Sequence, residues 1–226
     1  MARHLDLEEQ EQLDQLKHFW AQYGNLITWM LIVVFGTIAG YNGWQYWQRG
    51  RAAQAATLYD EVDRAADAGD VDRVKRAFAD IQDKFGGTTY AQQAGLLAAR
   101  VLLDKGQADA AKGALTWVAD KASDEGYQAT ARLRLAGLLA DAKDYDGALK
   151  QLSASFPAAY QALVADRRGD ILQLQGKKAE AKAEYTKALQ TLDERADYRR
   201  LIEVKLTALG GDPQAAKPAA PAAAKS

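Results

Sequence analysis

The chain has 226 residues, 26% of them charged and 48% apolar, with a formal net charge of -1; this suits one sizeable folded domain plus appendages and gives no overall pull toward nucleic acid. It contains no cysteine, which excludes disulfides, thiolate metal sites, a cysteine nucleophile and a lipid-modified cysteine anchor. Both histidines, His4 and His18, lie at the amino end, so everything after them lacks the commonest acid/base group and metal ligand at neutral pH; no enzyme, metal or cofactor is expected.

Residues 1–22 read as a short acidic tail, in which Arg3 and Lys17 face Asp6, Glu8, Glu9, Glu11 and Asp14. From Phe19 through Gln48 there is no Asp, Glu, Lys or Arg. A helix from Leu26 to Tyr46 would be about 31 Å long at a 1.5 Å rise per residue, which matches a hydrocarbon core of about 30 Å. The polar interruptions are Thr28, Thr37 and Asn42, too few for the polar stripe of a soluble core helix. Trp20, Tyr23, Trp44, Tyr46 and Trp47 flank the run as aromatic belts flank a membrane span, and the acidic start is unlike the positive start of an export signal. Residues 23–48 are therefore expected to be an uncleaved transmembrane helix in contact with membrane lipid.

Its orientation is open on charge: Arg3 and Lys17 stand on one side, Arg49, Arg51 and Arg64 on the other, and Arg49 with Arg51 lean toward a cytoplasmic carboxyl-terminal domain. Gly36 with Gly40, and Ala39 with Gly43, form small-xxx-small pairs that would let another helix approach closely, a second copy or a partner; glycine is also simply common in membrane helices.

After Ala52 apolar residues recur at helical spacing in segments of about a dozen residues, and the fold class expected is all-α. Four polar breaks carry Gly69, Gly106, Lys143 and Gly176, separated by 37, 37 and 33 residues. Seven residues before each stands Val62, Ala99, Ala136 or Gly169, and five after it Val74, Ala111, Ala148 or Ala181. Four further on comes a larger plug, Phe78, Leu115, Leu152 or Tyr185. Small residues where two helices cross, a turn residue able to adopt a left-handed conformation and a plug beyond it describe a helical hairpin, and a hairpin that cannot bury its own face must stack on neighbours. About four hairpins are expected, closed by a capping helix over Ala196 to Gly211, so residues 49–211 form the repeat domain. Residues 212–226, rich in Pro and Ala, read as a disordered tail.

The domain shows no phosphate-binding loop and no nucleophile elbow. Carboxylate pairs such as Asp60 with Glu61 and Asp80 with Asp83 read as solvated faces, and Trp117 reads as interhelix packing. A binding surface remains. In a stack of hairpins the first helices line a groove, and Tyr59, Asp63, Gln93, Leu96, Arg100, Leu133, Asp166 and Asp170 are the candidates to face it; the other reading is that several are core or plain surface.

The fourth unit, ADRRGDILQLQGKKAEAKAEYTKAL, resembles the tetratricopeptide repeat, with Gly169, Leu172, Gly176, Ala181, Tyr185, Ala188 and Leu189 at the pattern's positions. The other units depart from it at Val74 and Lys143, and Arg168 stands where an aliphatic residue is usual. The start HLDLEEQEQLDQLKHFWAQYGN, the span continuing into GYNGWQYWQ and the repeat ending in Tyr185 and Leu189 together resemble the ancillary subunits of the bacterial Sec translocon. That resemblance implies a single-pass inner-membrane protein with a cytoplasmic amino terminus and a periplasmic repeat domain. The implied partners are Sec channel subunits, periplasmic chaperones and exported polypeptides. A membrane-anchored repeat protein of cytochrome c maturation and a cytoplasm-facing regulatory binding protein are the alternatives.

Overall fold

The computed structural model describes residues 7–193 and 196–214, with side chains from residue 13 onward. Residues 1–6 of the expected acidic tail and 215–226 of the expected Pro/Ala tail lie outside the described residues. The protein is all-helical: a long amino-terminal apolar helix is followed by stacked helices that form a tetratricopeptide-like domain. The helices are α1 (Leu7–Asp67), α2 (Val71–Phe85), α3 (Thr89–Asp104), α4 (Ala108–Lys121), α5 (Glu125–Asp141), α6 (Tyr145–Gln151), α7 (Gln161–Leu174), α8 (Lys178–Thr191) and α9 (Asp197–Ala208), with a 3-10 turn at Ala158–Tyr160. Two compact units divide the chain, Met1–Arg51 and Ala52–Ser226.

In the first unit, α1 exposes its apolar side chains all round, Trp29 at 62% and Phe35 at 64% among them. One window of this helix is long and apolar enough to cross a membrane. Three of its polar side chains bond back to the helix itself. The hydroxyls of Thr28 and Thr37 donate to the carbonyls of Gly24 and Val33, both at 2.7 Å, and Asn42 Nδ2 donates to Ile38 at 3.0 Å. That back-bonding pairs both hydroxyls and one amide N–H inside an apolar run. Beyond it, Trp44 and Trp47 pack ring to ring at 5.1 Å and the Arg51 guanidinium lies 4.9 Å from the Trp47 ring centre.

In the second unit, four turns of one design set the register. Gly69, Gly106, Lys143 and Gly176 have φ of 63°, 72°, 63° and 77°. At each, two backbone N–H groups fold back onto the end of the preceding helix: Gly176 donates to Gln173 at 2.9 Å and Lys177 to Leu172 at 2.9 Å, and the other three repeat the pattern. These bonds satisfy carbonyls that a helix end would leave unpaired. Asp70 and Asp144 then cap the following helices by accepting from the amides of Arg73 and Gly147 at 3.0 Å each.

The end of α1 with α2, α3 with α4, α5 with α6 and α7 with α8 make the hairpins. The crossing residues Val62, Ala99, Ala136 and Gly169 and their partners Val74, Ala111, Ala148 and Ala181 are all buried, and the plugs Phe78, Leu115, Leu152 and Tyr185 fill the space beyond. At Gly169 an added Cβ would stand 2.5 Å from the Tyr185 ring, so only glycine lets α7 and α8 meet this closely. Trp117 packs edge-on against Phe78 with ring centres 5.6 Å apart. The third hairpin is the irregular one. α6 has only 7 residues, and the chain from Leu152 to Tyr160 passes through Pro157, which has no N–H to continue a helix.

Among the described residues, α9 is a first helix that no second helix follows. It ends on Gly210 with φ 72° and the same two backbone bonds, Gly210 to Thr207 and Gly211 to Leu206, both at 2.9 Å. Asp212 and Pro213 follow where a second helix would begin. Ile202 and Leu206 bury against a cluster that includes Ala165, Tyr185 and Leu189. The buried Arg199 donates through Nη1 to the carbonyls of Leu189 and Leu192 at the end of α8, at 2.8 and 3.4 Å.

Candidate protein-binding groove

The first helices of the hairpins carry the candidate residues, and these fall into three neighbourhoods. At the amino-terminal side Tyr59, on the last turns of α1, packs against Tyr90 of α3 with ring centres 6.0 Å apart. Gln93 Nε2 donates to the Tyr127 hydroxyl at 2.7 Å. Burial, and then the nearby charge of Asp63, raise the Tyr59 pKa above its ordinary value. Tyr59 and Gln93 are half-buried and Asp63 is exposed. This end of the face is aromatic and polar.

In the middle lies an open cavity of about 300 Å³ whose lining includes Arg100, Leu103, Leu133, Arg134, Gly137, Leu138 and Arg167. It brings together two of the expected residues, Arg100 and Leu133. A third, Leu96, joins through its backbone, because Arg134 Nη1 donates to the Leu96 carbonyl at 3.4 Å. Arg100 Nε stands 4.0 Å from Asp104. Gly137 leaves room there: an added Cβ would have only Arg167 Nη1 near it, at 3.9 Å. The Arg134 and Arg167 side chains were not among the sequence candidates. The signal for them is repeat register, since each stands nine residues before a left-handed turn residue, Lys143 or Gly176.

At the carboxyl-terminal side the picture differs from an open groove. Asp166 is only 2% exposed; it accepts from the Tyr198 hydroxyl at 2.5 Å and from Lys205 Nζ at 2.9 Å. Asp170 accepts from Lys205 Nζ at 2.7 Å and from the Tyr185 hydroxyl at 2.8 Å. Both carboxylates thus fix α9 onto α7. The physical reason is burial: a carboxylate inside the fold needs a cation and donors, and α9 supplies them. Tyr185 and Tyr198 have their pKa values raised, first by burial and then by hydrogen bonds to these two carboxylates.

On the apolar stretch of α1, Gly36, Gly40 and Gly43 would each place a Cβ with nothing of this chain within 4 Å, and Ala39 is exposed. Among the described residues no cluster of three or more His, Asp or Glu could hold a metal ion.

A family model described as a tetratricopeptide repeat-like domain matches residues 17–211, so the match begins before the apolar stretch and takes it in. A Neisseria gonorrhoeae protein named ancillary SecYEG translocon subunit is 32% identical over 213 residues, covering 92% of this chain and 100% of the relative. An Escherichia coli protein of the same name is 28% identical over 178 residues, covering 77% of this chain and 84% of the relative.

Proposed function

The chain belongs to the family of ancillary SecYEG translocon subunits, and on that premise we propose that it is a non-enzymatic scaffold, anchored beside the Sec channel. Residues 23–48 are the span, the amino terminus is cytoplasmic, and the domain of residues 49–211 stands in the periplasm. There it holds exported polypeptides or the chaperones that receive them. The observation that best supports this is the face formed by α3, α5 and α7. A cavity edged by leucines and arginines on successive first helices suits an extended polypeptide that carries both apolar and charged side chains. The residues offered for this role are Tyr59, Asp63, Gln93, Leu96, Arg100 and Leu133; Asp166 and Asp170, engaged by α9, are not.

Anchoring sets the strength required. A site tethered next to the channel meets an emerging chain at an effective concentration of about millimolar, so weak affinity suffices. Gly36, Ala39, Gly40 and Gly43 are proposed as the face of the anchor that packs against a channel helix or a second copy, because small residues let helix backbones approach.

Membranes solubilised in mild detergent test the reading: the tagged full chain should co-purify with Sec channel subunits, and a chain whose span is replaced by an unrelated one should recover fewer. Recovery of no channel subunit with the native span would overturn it. A reporter active only in the periplasm, fused after Gly211, tests the orientation. The cytoplasm-facing alternative has Arg49 and Arg51 in its favour, and a silent reporter at that position would select it.

A further inference from the structure

We propose that the cavity edged by α3, α5 and α7 selects an internal acidic-aliphatic stretch of an extended polypeptide. A side-chain carboxylate of the ligand would be held by Arg134 and Arg167, and a neighbouring aliphatic side chain would lie on Leu103, Leu133 and Leu138. This deepens the scaffold reading and rests on it.

Unbalanced charge is the first observation. Arg134 and Arg167 are exposed and line one cavity, yet among the described residues neither forms an ion pair; Arg134 has one long bond, to the Leu96 carbonyl at 3.4 Å. Several arginines elsewhere in the domain are matched: Arg73 with Glu61 at 2.6 Å, Arg132 with Asp120 at 3.4 Å, Arg168 with Glu184 at 3.1 Å. The lining also holds Arg100, Asp104 and Asp141, three arginines against two aspartates in all, and Asp104 faces Arg100 at 4.0 Å. Two guanidiniums that form no ion pair, at the same repeat position on successive first helices, complement an anion, and a guanidinium fork matches the planar carboxylate best.

Apolar space beside the charge is the second. Leu103 is 38% exposed, and with Leu133 and Leu138 it gives the cavity an aliphatic floor within its volume of about 300 Å³, room for one leucine-sized side chain. Gly137 keeps the approach open, since a side chain there would grow toward Arg167. A carboxylate and an aliphatic group presented by neighbouring residues describe an acidic-aliphatic peptide, whereas a purely apolar segment leaves both arginines unanswered.

Fluorescence anisotropy on the full chain in nonionic micelles provides the test, using an acetylated and amidated seven-residue peptide of alternating Leu and Glu. Versions with Gln or Lys in place of Glu are the comparison. The Glu peptide should bind about tenfold tighter than the Gln peptide, in line with a charge-assisted bond over a neutral one, and its affinity should fall with salt. R134Q/R167Q should remove that preference while the helical circular dichroism stays unchanged. R134E/R167E should turn the preference toward the Lys peptide, an outcome that a folding defect would not produce. Three results would each overturn the site: the three peptides binding alike, the double variants matching the native chain, or arginine-dependent self-association with no peptide bound, which would name a second copy as the occupant. Loss of selectivity with channel subunits still recovered from membranes would remove the site and leave the scaffold standing; selectivity without channel subunits would do the reverse.

Discussion

Lys143 shows how a single residue can disagree with its place. Its φ of 63° is the only left-handed angle on a non-glycine residue among those described, while Gly69, Gly106 and Gly176 take the equivalent turns with the flexible residue. An L side chain in this region costs about 1–2 kcal/mol, and glycine gives back about 0.5–1 kcal/mol in unfolded-state entropy. The balance favours glycine. Lys143→Gly should therefore raise stability by about 0.5 kcal/mol, read as a higher urea midpoint at an unchanged slope; a lower midpoint would mean that the lysine side chain makes a contribution larger than its strain. The turn position was legible in the sequence even here, because the repeat register around Ala136 and Ala148 marks it without the glycine. Arg134 and Arg167 were marked in the sequence only by their shared register: an exposed arginine on a helix otherwise reads as solvated surface until the cavity it lines is seen. Asp166 was placed on the right helix and faces a partner that sequence reasoning had no means to supply, since Lys205 lies 39 residues away.

Among the elements, α9 docks through polar burial as well as apolar packing. Its docking combines the apolar pair Ile202 and Leu206 with the knot of Asp166, Asp170, Lys205, Tyr185 and Tyr198. That a terminal helix caps the stack was readable from its polar face and its Gly-Gly end; that it does so through two tyrosines and two carboxylates was not, because hydrogen bonds between distant residues leave no periodic trace. The tyrosines make the latch alkali-sensitive. Both have pKa values raised above the ordinary 10.0, so as pH climbs past that value the unfolded chain gives up its protons first. The unfolded state then binds fewer protons than the folded one and stability falls. Below 10.0 the contribution is fully present; it drains away as pH rises toward the higher folded values. Urea melts between about pH 8 and about pH 11, a window that brackets the ordinary tyrosine value, should show this decline. Tyr198→Phe should start about 1 kcal/mol lower, having lost a donor to a buried carboxylate, and fall less steeply. Lys205 faces the same carboxylates in both proteins, so the difference between the two curves isolates the tyrosine. Parallel curves would show that Tyr198 does not carry the effect.

For the whole molecule, the repeat domain's core is not one pool. Buried apolar residues from Ala55 to Ile171 form one cluster, and Ala165, Leu172, Tyr185, Leu189, Ile202 and Leu206 belong to a second, with Leu149 packed against both. Each hairpin packs mainly on its neighbours, so stability should distribute as a chain of nearest-neighbour terms, with local openings that need not spread through the domain. A scaffold of the proposed kind gains from this, because a groove in the middle can stay ordered while an end frays. Lys205→Met separates the possibilities. It leaves Asp166, with a side chain 3% exposed, without its cation, and the loss of one partner from a buried charged group costs about 2 kcal/mol when Tyr198 remains to donate. Hydrogen exchange on the full chain in micelles should then quicken about 30-fold in α8 and α9, the fold-change that this energy implies, and less in α7, whose far side belongs to the first cluster. Amides of α2, α3 and α4 should exchange at the native rate. If every slow amide in the domain accelerated by the same factor, the two clusters would open as one cooperative unit. The first helices that edge the cavity would then be only as stable as the latch at the end of the stack, and an alkaline or mutational loss of α9 would disorder the proposed binding face as well.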